Sequence, residues 1–132
     1  MPACTADRQT VYREGVELEF PVKGATKIFA GSMVAVDSTG YAVPAGNTAG
    51  HRLLGIALEQ ADNLSGGNGG LVIRVRTAGV FEFGATSISQ ASVGATMYVV
   101  DDQTFDDVDP GQGVVCGRLM KYVSATKGWI KI

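Results

Sequence analysis

One histidine, one tryptophan, two cysteines and four prolines are spread over 132 residues, of which only 18% are charged. A lone histidine, His51, excludes every site that needs two imidazoles, so HExxH zinc boxes, paired-histidine metal sites and di-iron boxes are ruled out. Cys4 and Cys116 fall short of the disulfide framework that staples small secreted domains, and two unpaired thiols are expected. Uninterrupted apolar runs stop at four residues, as in Met33-Val-Ala-Val36 and Met97-Tyr-Val-Val100, whereas a membrane helix needs about 20. The start, Met1-Pro-Ala-Cys-Thr-Ala-Asp-Arg8, has neither the basic flank nor the apolar centre of a secretory signal. An intracellular origin is therefore expected, and Asn63-Leu-Ser65 reads as loop sequence rather than a glycosylation site.

Glycine is abundant instead, with 18 residues, about twice the average usage of ~7%. Irregular spacing and scarce proline exclude a collagen repeat, which leaves many tight turns as the explanation. Between the glycines lie short alternating runs. Val16, Leu18, Phe20 and Val22 share one face while Glu17, Glu19 and Pro21 fall on the other, the signature of a half-buried strand. Pro21 lacks an N–H for the ladder, so this strand ends there or lies at an edge. Further strands are expected at Lys27–Phe29, Ser32–Asp37, Tyr41–Pro44, Leu53–Gln60, Leu71–Arg76, Gly79–Phe83, Met97–Asp101, Val114–Val123 and Gly128–Ile132. Asp37-Ser-Thr-Gly40 reads as a hairpin turn, Gly66-Gly-Asn-Gly-Gly70 as a wider flexible connection, and the Ser87–Gly94 stretch as at most one helical turn. The chain is all-β: an extended N-terminal arm over residues 1–15, polar and charged, followed by a single barrel domain over 16–132.

Charge is unevenly placed. Asp101-Asp-Gln-Thr-Phe-Asp-Asp-Val-Asp109 holds five aspartates and no base, so the remainder of the chain is net positive. The 11 basic residues are scattered from Arg8 to Lys131 rather than gathered in one run, which argues against a nucleic-acid partner. The aspartates at 101, 102, 106, 107 and 109 are the best candidates for a hard cation, yet they miss the EF-hand spacing and its sixth-position glycine, and a solvated acidic turn is expected. Gly66–Gly70 is followed by the strand-like Leu71-Val-Ile rather than by Lys-Ser/Thr and a helix, so no P-loop is present. His51 has no G-x-S-x-G elbow to serve, and Ser32 is flanked by the wrong residues. The expectation is a non-enzyme that uses no cofactor and no metal.

The stretch Gly24-Ala-Thr-Lys-Ile-Phe-Ala-Gly-Ser-Met-Val-Ala-Val-Asp37 followed by Gly40-Tyr-Ala-Val-Pro-Ala45 resembles a recurring pattern of tailed-phage capsid decoration, or cement, proteins. So, in the same order, do Leu54-Gly-Ile-Ala-Leu-Glu-Gln-Ala-Asp-Asn63, the Gly-rich loop, Val72-Ile-Arg-Val-Arg76, Gly79-Val-Phe-Glu-Phe83 and Gly94-Ala-Thr-Met-Tyr-Val-Val-Asp101. The likeness runs from about Asp7 to Ile132. It implies a small β-clip-like or partly open barrel of bent hairpins, as in the related lambda-type head decoration proteins. It also implies a virion protein made in the host cytoplasm that docks on the outside of the expanded capsid. The implied partners are the major capsid protein and, as a homotrimer, further copies of the chain, with no nucleic acid and no membrane. The acidic 101–109 segment has no counterpart in that alignment.

Independently of the resemblance, a polar segment with β-forming residues ahead of a barrel suits strand addition to a neighbour's sheet edge. Gln9, Thr10, Val11, Tyr12 and Arg13 are the residues expected to bind the capsid in this way. Pro21-Val-Lys-Gly24 and the following strand bear some likeness to biotinyl or lipoyl carriers, but the Met-Lys-Met or Asp-Lys-Ala hairpin is missing. The motifs of a dUTPase-type β-clip enzyme are missing too. The competing reading is a non-catalytic β-barrel binding or structural module of another assembly.

Overall fold

The computed structural model describes residues 3, 5–9 and 15–132. Twelve strands follow one another: β1 (Glu17–Pro21), β2 (Thr26–Ile28), β3 (Met33–Val36), β4 (Ala42–Pro44), β5 (Arg52–Ala57), β6 (Ala61–Asn63), β7 (Val72–Arg76), β8 (Val80–Ala85), β9 (Thr96–Asp101), β10 (Thr104–Asp106), β11 (Val115–Ser124) and β12 (Lys127–Lys131). The helical content is a single 3-10 turn, Gln90–Ser92, between β8 and β9. The chain is all-β, as its alternation requires.

Strands β1-β7-β5-β3-β4 form a five-stranded antiparallel sheet, β2 and β6 pair beside it, and β10-β8-β12-β11-β9 close into a barrel. In the barrel only β10 and β8 run parallel. The open sheet is curled: Val22, just beyond β1, bridges Ala42 of β4 in parallel, bringing its two edge strands together.

Two apolar clusters explain which face each residue takes. Met33, Ala35, Val43 and Ile56 of the open sheet join Met97, Val99, Phe105, Cys116, Leu119 and Ile130 of the barrel in one core. Val34, Ala42, Ala57, Ile73 and Val75 point the other way, toward Ile28 and Ala61 of the β2–β6 pair. The open sheet is thus buried on both faces at β3, β4 and the end of β5. That is why Met33-Val-Ala-Val36 is apolar throughout while β7 and β12, which have one solvated face, alternate.

The strands bend where glycine replaces a side chain. In β5 the pairing with β3 slips between Val34 and Ala35, and pairing with β7 on the other side begins at Ile56. In β11 the pairing with β9 slips between Val115 and Gly117, and pairing with β12 on the other side begins at Arg118. At each slip a glycine stands against a neighbouring carbonyl. A Cβ on Gly55 (φ +155°) would lie 2.1 Å from the Arg76 oxygen, and one on Gly117 (φ +146°) would lie 2.2 Å from that of Lys131. Such bulges increase local twist and re-aim a strand.

Two connections differ from the sequence reading. The Gly66–Gly70 loop is not a flexible link. Asn63, buried at 3% exposure, donates from Nδ2 to the carbonyls of Val22 (3.3 Å), Lys23 (3.0 Å) and Gly67 (2.9 Å). Gly69 N–H donates to Val22 O and Ala25 N–H to Gly66 O. The loop is therefore bound to the chain between β1 and β2. The acidic segment is likewise more than a turn, since its centre is β10 and Phe105 is fully buried. The expected strand Leu53–Gln60 ends at Ala57, and Ala61–Asn63 forms a separate strand.

The Asp37–Gly40 hairpin turn forms as expected, with Gly40 at φ +91° and its N–H donating to Asp37 O at 3.0 Å. Asp37 Oδ2 accepts from Lys23 Nζ at 2.6 Å, and Oδ1 accepts from Thr39 N–H at 2.9 Å and Tyr41 N–H at 3.2 Å. The Lys23 ammonium, then the Thr39 hydroxyl and the backbone donors, hold the Asp37 carboxyl well below the usual carboxylate range.

Two outcomes follow. Gly117→Ala should lose about 2–4 kcal/mol of stability in urea titrations, whereas Gly67→Ala, where an added Cβ meets nothing within 4 Å, should stay within about 0.5 kcal/mol of the parent. Because the Asp37 pKa is lowered on folding, its contribution is complete above the unfolded carboxylate value of about 4 and is lost as pH falls below it. Thermal melts from about pH 5 to pH 2 should therefore fall more steeply for the parent than for Asp37→Asn, and parallel curves would refute the linkage.

Candidate functional site

The residues with chemical potential are kept apart. Cys116 lies in the barrel core at 1% exposure, where burial pushes its thiol up to about 12. A thiol so protonated and enclosed is no nucleophile. His51 sits in the β4–β5 connection; its N–H donates to Thr48 O at 3.1 Å and its Nδ1 has no hydrogen-bond partner. Ser32 Oγ donates to the Phe29 carbonyl at 2.7 Å. No hydrogen bond among the described residues links these three groups.

The aspartates do not converge either. Asp101 Oδ1 accepts from Gln103 N–H at 2.9 Å, Asp109 Oδ1 accepts from the N–H groups of Gly111 (2.8 Å) and Gly113 (2.9 Å), and Asp107 Oδ2 accepts from Ser92 Oγ at 2.7 Å. Asp101 and Asp109 fold their own turns, Asp107 ties the loop to the 3-10 turn at Ser92, and among the described residues no group of three or more potential ligands comes together.

A cleft of about 390 Å³ opens where the two sheets meet, lined by Phe29, Ala30, Gly31, Ser32, Asp102 and Gln103. It forms because Met33 N–H donates to Asp102 O at 2.8 Å, tying the β9–β10 turn to the start of β3. Phe29 is 53% exposed, with Lys27 Nζ 5.2 Å from its ring centre. Burial, and then the neighbouring Asp101, push the Asp102 carboxyl above its ordinary value. Asp102 is the one ionisable side chain among the lining residues, with Asp101 next to it in the chain and Lys27 over the Phe29 ring. The cleft can grip an apolar or hydrogen-bonding group. Period 2 in Lys27-Ile-Phe29 already places the ring on the solvent side; the acidic turn across from it was not legible.

A second candidate is the outer edge of β1. The strand pairs with β7 from Glu17↔Arg76 to Pro21↔Val72 and, among the described residues, with nothing on its other side. Glu17 and Glu19 are exposed, and Glu17 accepts from Arg76 at 3.0 Å. Carboxylates and a closing proline are the usual guards of an open edge. Thr77 holds the chain just before the strand through the carbonyls of Gly15 and Val16. Of the residues expected to bind a capsid, Gln9 is exposed, and Thr10, Val11, Tyr12 and Arg13 lie outside the described residues.

The buried thiol is open to test in a Cys4→Ser background. Cys116 should resist maleimide in the native protein at neutral pH and react within minutes in denaturant; rapid native labelling would contradict its enclosure. Comparison of the chain with family models, with curated proteins and with solved structures finds no match.

Proposed function

We propose that this chain is a non-catalytic structural protein of a tailed-phage virion, binding the outside of the expanded capsid through the major capsid protein and cementing it as a homotrimer. The observation that supports this most directly is the edge of β1, unpaired among the described residues, which comes a few residues after the arm sequence Gln9–Arg13. An open edge and a β-prone arm on one chain are the two halves of strand exchange between neighbours, in which main-chain hydrogen bonds supply affinity. A rigid, glycine-bent barrel suits a ligand that adds free energy to a shell by binding its assembled form, because binding one state stabilises it by mass action. Repetition over many sites makes a modest gain per site sufficient. The cleft at Phe29 and Asp102 favours the second reading, a β-barrel binding module of another assembly that receives a partner's side chain there.

Purified protein mixed with expanded capsids that lack a decoration protein should co-sediment at a fixed ratio to the major capsid protein. Removal of residues 1–15 should leave the melting transition in place and weaken that binding. Absence of co-sedimentation sinks the capsid reading, and undiminished binding of the truncated chain removes the arm from it.

A further inference from the structure

We infer that the outer face of β11 and β12 docks the acidic β10–β11 loop of a second copy, head to tail. From Gly111 onward the chain carries Arg118, Lys121, Lys127 and Lys131 and no acid. Pairing gathers these bases. Arg118 stands opposite Lys131, and Lys121 opposite Trp129, on the side of the ladder away from buried Leu119 and Ile130. Trp129 is therefore an outward, half-buried ring with Lys121 opposite it on β11 and Glu82, the partner of Lys127, opposite it on β8, and Met120 on the same hairpin is 43% exposed. Lys127 pairs with Glu82 at 3.7 Å, but no carboxylate among the described residues lies within 4.0 Å of Arg118, Lys121 or Lys131.

The complement is on the same chain. Asp106-Asp-Val-Asp109 leads out of β10, and Val108, at 67% exposure, has the highest value among the exposed large apolar residues. It presents an apolar tip ringed by carboxylates, each with an oxygen left over from folding the loop. The basic face is the converse, an indole bordered by Arg118, Lys121 and Lys131, with Glu82 on its far side already engaged by Lys127. Within the barrel β10 pairs with β8 and β9 and not with β11 or β12, and no ion pair among the described residues joins the loop's aspartates to these bases. A copy that cannot satisfy its basic face with its own loop can satisfy it with a neighbour's. The contact joins different patches, so it is heterologous and builds a ring if its rotation closes. An apolar centre with a charged rim is the ordinary anatomy of such an interface.

This deepens the self-association in the proposal above and rests on that reading only for the ring's size, three copies. It is tested on the free protein by light scattering and sedimentation equilibrium. Apparent mass should rise with concentration at low salt and return toward one chain near 1 M salt, where the screening length is about 3 Å. Lys121→Glu with Lys131→Glu removes the face. Val108→Lys removes the tip while sparing Asp106, Asp107 and Asp109, whose carboxylates hold the loop through Val108 N–H, Ser92 Oγ and the N–H groups of Gly111 and Gly113. Each variant, with its melting transition retained, should weaken association about tenfold or more. A mixture of the two should recover dimers and nothing larger, since it can make one good contact and no second. A monomer at every concentration, variants that associate like the parent, or a mixture without dimers would each overturn the inference. Capsid co-sedimentation is scored separately, so loss of self-association with retained shell binding removes this contact alone, and the reverse removes the shell.

Discussion

The fold depends on two places where a backbone carbonyl occupies the space of a side chain. Gly55 and Gly117 sit at φ +155° and +146°, with the carbonyls of Arg76 and Lys131 where a Cβ would be. Each lies at a slip in register, beside a residue that pairs with strands on both sides: Ile56 with Met33 and Arg76, Arg118 with Thr96 and Lys131. A side chain at either glycine would have to displace the neighbouring strand, so β7 could not lie against β5, nor β12 against β11, at the observed distance. Burial supplies the driving force for both sheets, and these two close approaches set how tightly the neighbouring strands lie.

What was legible in the sequence follows from this. Period 2 located the strands that have one solvated face, β7, β8 and β12, because water and core divide the residues cleanly. It also marked β3, where an unbroken apolar run reflects burial on both sides. Ala61–Asn63 was missed because its signal is not apolar: the strand is held by pairing with β2 and by an Asn63 amide that satisfies three carbonyls. Phe105 was masked by the aspartates around it. A run of acids reads as solvated, yet three residues suffice to put one ring into a core while the flanking carboxylates turn outward to fold their own loops. The close approaches at Gly55 and Gly117 were not legible at all, since glycine at a turn and glycine beneath a carbonyl look alike in sequence.

The candidate sites divide in the same way. The open edge of β1 was foreseeable from Pro21, which cannot extend a ladder. The cleft at Phe29 was half visible, as an aromatic ring on the solvent side of a short strand, but Asp102 and Gln103 come from 70 residues further along the chain and are brought there by the Met33–Asp102 hydrogen bond. The gathering of Arg118, Lys121 and Lys131 around Trp129 depends on the register of one hairpin, whose bulge sets Lys121 opposite Trp129. Scattered in sequence, these bases give no patch; paired across β11 and β12, they do.

The two sheets also differ in what they leave available to a partner. Because β3 and β4 are covered on one face by the barrel and on the other by β2 and β6, their side chains are spent on the core, whereas β1, at the sheet's edge, leaves main chain unpaired among the described residues. The barrel is the reverse. Closure leaves no edge strand, so its main chain is spent and its outward side chains remain. A partner at the β1 edge would be met by hydrogen-bond pattern, tolerant of its sequence, with Glu17, Glu19 and Pro21 limiting the pairing. A partner at the barrel face would be met by charge and shape, with sensitivity to salt and to single substitutions. Under the proposed role, that division would let a protein repeated over a lattice hold the shell and its own copies by different means.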